Sequence, residues 1–122
     1  MNKDFLKFQK IFKSYQRLFG LTGYKVYFKY EPIENCFANI STNHPDMTAT
    51  VRLNSKVPNG EKPYRNVYVS AKHEALHLLL NSLEDKALNR HAQRDEVFEA
   101  VEEAVHKLEA LIPDLKEITN EC

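Results

Sequence analysis

Lys72-His73-Glu74-Ala75-Leu76-His77-Leu78-Leu79-Leu80 is the stretch from which the rest of the chain is read. Residues four apart on a helix lie one turn apart on one face, so His73 and His77 can aim both imidazoles at a single ion while Glu74 lies beside that axis. This is the H-E-x-x-H pattern of a helical zinc site. Zinc takes nitrogen ligands at about 2.0–2.1 Å in a tetrahedral shell, and a catalytic site leaves one of the four positions open for water. Two histidines therefore call for a third protein ligand. The plainer reading is two surface histidines paired with a glutamate on an ordinary amphipathic helix. The run Leu78, Leu79, Leu80 with Leu83 speaks against it, because it gives the helix the buried side that a zinc helix needs.

Working outward, the chain of 122 residues is read as a single domain, residues 1–122, long enough for one modest core. Lysine plus arginine and aspartate plus glutamate balance at 17 each. That balance gives no overall field towards nucleic acid or an anionic membrane. No apolar run approaches the roughly 20 residues that span a bilayer, and a soluble, cytoplasmic protein is expected. Cys36 and Cys122 offer neither a disulfide framework nor a C-x-x-C zinc spacing. Cys36 is expected as a small core residue in a strand, and Cys122 as a loose thiol.

Before the motif, Phe5, Phe8, Phe12, Tyr15 and Phe19 recur at spacings of three and four, predicting a core-facing amphipathic helix over residues 3–19 that Gly20 and Gly23 end. The period then changes to two. Tyr24, Val26, Phe28 and Tyr30 mark a first strand, Cys36 to Ser41 a second, and Met47, Ala49, Val51 and Leu53 a third. The turn signal Asn43-His44-Pro45-Asp46 separates the last two. Short connections predict an antiparallel meander. Residues 54–65 read as a loop. The zinc helix is expected to start between Asn66 and Ser70 and to run to about Leu83, with polar residues 84–94 after it.

A last helix is expected from Asp95 to Ile112, its apolar stripe being Phe98, Val101, Val105, Leu108 and Ile112 and its break Pro113. The expected fold is thus α+β, with an N-terminal helix, a small antiparallel sheet of three to four strands, the zinc helix and a C-terminal helix. The metzincin pattern places a third histidine six residues after the second, where this chain has Leu83. The remaining common shell is two histidines and a glutamate from a following helix. Of Glu99, Glu102, Glu103 and Glu109, Glu102 lies between Phe98 and Val105 on the stripe and is the first choice. Glu109, Glu99 or another histidine remain open.

With H-E-A-L-H-L-L-L and then E-E-A-V-H-K-L-E, the chain resembles the minimal zincin-like metallopeptidases of bacteria and their phages, of the gluzincin type. The resemblance covers mainly residues 68–112. It implies His73 and His77 as zinc ligands, Glu74 as catalytic acid/base and Glu102 as third ligand. The N-E-x-x-S-D extension of some large gluzincins is lacking.

The expected function is zinc-dependent hydrolysis of a peptide bond in a peptide or protein substrate. His91, His106, Tyr64 and Tyr68 are unranked candidates for holding the oxyanion. An extended peptide is expected along an exposed strand edge, with Met47 to Leu53 preferred over Cys36 to Ser41. The alternatives are a non-catalytic zinc-binding interaction module of the same fold and, more remotely, a di-iron carboxylate protein built on Glu74-x-x-His77 and Glu103-x-x-His106. The di-iron site needs a four-helix bundle, which the strand-like residues 24–54 do not provide.

Overall fold

The computed structural model describes residues 2–58, 60, 62 and 65–111. Ile112, Pro113, the tail from Glu117 to Cys122, and Tyr64 lie outside them. The chain is α+β. Helix α1 (Lys3–Leu18) is followed by strands β1 (Lys25–Glu31), β2 (Ala38–Asn43) and β3 (Thr48–Asn54), then helices α2 (Val67–Leu88) and α3 (Arg94–Leu111).

Helix α1 begins at Asn2, whose side chain accepts a hydrogen bond from the Phe5 amide, satisfying one of the orphan donors of the first turn. It ends where Gly20 takes φ +71°, a left-handed conformation that costs glycine little. Its inward face carries Phe8 and Phe12, both fully buried. Their rings meet the Phe28 ring of β1 edge-on, at centroid distances of 6.5 and 5.5 Å. The aromatic stripe is core, as its spacing predicts.

The sheet corrects the expected meander. Its strand order is β1-β3-β2. β3 pairs parallel to β1 and antiparallel to β2. Strands that follow one another closely usually pair, but the connection of residues 32–37 reaches further than one strand spacing. Six residues can extend to about 20 Å, whereas stepping over one strand takes about 10 Å. β3 therefore lies in the centre, and β1 and β2 are the edges. The period-two reading itself holds. Ala49, Val51 and Leu53 are buried, while Thr48, Thr50 and Arg52 lie on the other face. There Arg52 donates from Nε to Glu31 at 3.1 Å and from Nη1 to the Ser41 hydroxyl at 2.9 Å.

Two further boundaries shift. Met47 belongs to the β2–β3 turn with φ 54°, and Cys36 is exposed in the connection before β2 rather than buried in a strand. The connection is tied down by Asn54 at the end of β3. Its side-chain oxygen accepts from the amides of Ile33 (3.0 Å) and Lys56 (2.9 Å), and its Nδ2 donates to the carbonyls of Ile33 (2.8 Å) and Cys36 (3.0 Å). All four hydrogen-bonding positions of a buried amide are used.

One apolar cluster joins α1, the inner face of the sheet and α2. Helix α2 begins at Asn66, whose side chain accepts from the amides of Tyr68 and Val69, so Val67 and Val69 are helical. It continues past the expected Leu83 to Leu88. Helix α3 is rotated from its expected position. Ala100 and Ala104 are its buried residues, while Phe98, Val101 and Val105 are 64%, 38% and 47% exposed. Small side chains let two helix backbones approach closely, and that contact decides which side of α3 turns inward. The described architecture of three helices and a sheet is not the four-helix bundle that a di-iron site needs. Among the described residues no helix is long and apolar enough to cross a membrane.

Candidate metal centre

Four-residue spacing on α2 places His73 and His77 one turn apart, and their Nε2 atoms lie 3.2 Å from each other. Two nitrogens bound to one zinc at 2.0–2.1 Å with a tetrahedral angle are about 3.3–3.4 Å apart. The contact, at imidazole–imidazole hydrogen-bonding distance, is close to the spacing of two ligands of one ion, with rings 75° apart and centroids at 4.8 Å. Both side chains are exposed to solvent, so an ion can reach them.

Glu74 differs sharply from its neighbours. It is 6% exposed, and that burial pushes its carboxyl pKa above the ordinary value while His73 and His77 pull the other way. Unpaired burial is costly for a charge, and a buried carboxyl beside two imidazoles is the kind of perturbed group that marks candidate functional sites.

The site lies where two cavities meet. A larger one of about 740 Å³ is bounded by the connection before β2 (Ile33, Cys36, Phe37) and by Pro58, Val69 and Ser70. A second of about 340 Å³ runs along β2 past Asn39, Ile40 and Thr42, and reaches His77, Asn81 and Glu84. Ala38, His73 and Glu74 line both. The edge strand β2 thus forms one wall of the site and α2 the other.

Asn81 locks these walls together. It sits one turn beyond His77, is 6% exposed, and accepts from the Thr42 hydroxyl of β2 at 2.6 Å. Its Nδ2 donates to the Tyr24 hydroxyl at 3.2 Å, which in turn lies 2.7 Å from Nδ1 of His44. Burial raises the Tyr24 pKa above 10.0; the hydrogen bond from Asn81 lowers it, and the charges of Glu103 and Asp85 raise it further.

Glu102 is not brought to the histidines. It lies two residues from both Ala100 and Ala104, hence about 160° around the helix from the buried line. Its carboxylate is 50% exposed and 3.8 Å from His106, which also lies 3.6 Å from Glu109. Phe98 and Val105, the stripe residues that bracket Glu102, face solvent, whereas Leu108 packs against the core, so the inward side of α3 does not include Glu102. Glu99 is also exposed. Among the described residues no group of three or more His, Cys, Asp or Glu side chains is gathered to hold a metal ion. His91, His106 and Tyr68 line neither cavity.

Asn81, Thr42, Glu84 and Asn54 were not singled out by the sequence reading. For Asn81 and Glu84 a signal exists, since positions 73, 77, 81 and 84 continue one face of the same helix. For Thr42 and Asn54 it does not, because both depend on which strand lies in the middle of the sheet.

No protein-family model matches the chain, and neither the curated proteins nor the solved structures contain a match to it.

Proposed function

We propose that this chain is a zinc-dependent peptide-bond hydrolase of zincin type, in which His73 and His77 supply two of the metal's ligands and Glu74 is the general base and acid. The observation that supports it is the 3.2 Å approach of the two Nε2 atoms beside a buried glutamate. A donor pair of imidazoles suits zinc. When bound, zinc supplies Lewis acidity that polarises a peptide carbonyl and acidifies water.

The remaining chemistry belongs to the chain. Glu74, at the junction of both cavities, takes the proton of the attacking water and returns it to the leaving amine. β2, as the edge strand beside the histidines, offers backbone groups to an extended peptide. It replaces the expected Met47 to Leu53, whose two sides are already paired. Asn81 and Thr42 hold β2 at its distance from α2 and so fix the width of the groove.

The test is hydrolysis of unstructured peptides by zinc-loaded wild type and Glu74→Gln. Equal zinc content with activity lost in the variant is the expected result. Zinc bound by both proteins with turnover in neither replaces the enzyme with a non-catalytic zinc-binding module.

A further inference from the structure

The two cavities that meet at Glu74 differ in chemistry. The larger has apolar walls from Ile33, Phe37, Pro58 and Val69, together with Glu34 and Lys56. The smaller has Asn39, Thr42 and Asn81, and its far end is lined by the exposed Glu84, with no lysine or arginine in its lining. No ion pair among the described residues engages Glu84. Glu84 is thus the charged side chain of this lining on the side away from His73 and Glu74, and the Thr42 hydroxyl donates to Asn81 beside it.

We propose that the cavity between β2 and the second half of α2 is a cation pocket, in which Glu84 selects a positively charged group of the peptide substrate. This rests on the reading of the groove as a peptide site. A carboxylate facing a cavity that already contains amide and hydroxyl groups recognises an ammonium or guanidinium by charge-assisted hydrogen bonds. Glu84 lies seven residues beyond His77, about 10 Å further along the helix axis, which equals about three residues of an extended strand. The selected group thus belongs to one of the first three residues on one side of the scissile bond. For a peptide antiparallel to β2, which runs from Ala38 towards Asn43, that is the amino-terminal side. The cation is either a lysine or arginine side chain or a free amino terminus; the chemistry is the same.

Binding tests this without turnover. Zinc-loaded Glu74→Gln is titrated with fluorescent peptides in which a single lysine is moved through an otherwise neutral sequence, each with a free and an acetylated amino terminus. A lysine at one favoured position is expected to tighten binding about three- to tenfold, less at high salt. Preference for lysine in acetylated peptides assigns the pocket to a side chain; preference only for the free terminus assigns it to the terminal amine. Adding Glu84→Gln is expected to erase the preference while neutral peptides bind as before. Adding Glu84→Lys is expected to reverse it in favour of glutamate. A flat lysine scan with no preference for the free over the acetylated terminus, or the same preference with Glu84→Gln, overturns the cation pocket while leaving peptide binding intact. Absence of binding by every peptide, with zinc content normal, overturns the peptide groove as well.

Discussion

Asn54→Ala removes a side chain that makes four hydrogen bonds, two accepted from the amides of Ile33 and Lys56 and two donated to the carbonyls of Ile33 and Cys36. The fold depends on them in a specific way. The connection from β1 to β2 must pass over the end of the central strand, and Asn54 is the residue at that end which catches it. Each net hydrogen bond contributes about 0.5–1.5 kcal/mol. Ile33 and Cys36 are partly or wholly exposed, so water can replace some of what is lost, and the low half of that range applies to their groups. A loss of about 2–4 kcal/mol is expected, a large part of a stability that for a domain is on the order of 5–15 kcal/mol. Urea unfolding followed by far-ultraviolet circular dichroism measures it, with the slope unchanged if the unfolded state is unaffected. The same substitution loosens one wall of the larger cavity, so peptide binding should weaken more than zinc binding. A loss below about 1 kcal/mol would mean that the connection holds its course without Asn54, and the anchoring role given to Asn54 would be refuted.

The orientation of α3 predicts opposite outcomes at two positions: Phe98→Ala, on the exposed face, should change stability by less than about 0.5 kcal/mol, whereas Ala104→Leu, on the buried line, should cost about 1–3 kcal/mol by overpacking against α2; thermal unfolding of both variants distinguishes this from the reverse order that the apolar stripe predicts. Glu102→Ala is expected to leave zinc affinity unchanged in a competition titration, because its carboxylate stands beside His106 on the outward side, and a large loss of affinity would return Glu102 to the shell. Zinc at about a hundredfold over its Kd should stabilise the folded state by about 2.7 kcal/mol through mass action, visible as a chelator-sensitive melting temperature. Because the buried Tyr24 hydroxyl has a pKa above 10.0, its protonated form is favoured in the folded state; its contribution is complete below pH 10 and is lost as pH rises through the folded value, so the stability gap between wild type and Tyr24→Phe should narrow between pH 8 and alkaline pH.

The parts of this molecule that were legible in the sequence are those set by local periodicity. The spacing of Phe8 and Phe12 placed α1 on the core, the alternation of Ala49, Val51 and Leu53 gave β3 its inner face, and four-residue spacing brought His73 and His77 together. What was not legible depended on contacts between elements. Strand order turned on whether residues 32–37 step over a neighbour, which periodicity does not encode. The rotation of α3 turned on close packing of Ala100 and Ala104 against α2. A hydrophobic stripe reports which side is apolar; small residues at a helix contact can still prevail over it. The misplaced edge strand and the choice of Glu102 both followed from these two non-local facts.

The central claim is that His73 and His77 act together as ligands of one metal ion. Its most direct measurement is a zinc titration of wild type, His73→Ala and His77→Ala after exhaustive chelation, with folding of each variant checked by circular dichroism. One zinc per wild-type chain, and loss of high-affinity binding in either folded variant, is the predicted result; undiminished stoichiometry and affinity in both variants, or no zinc bound by wild type, would contradict it.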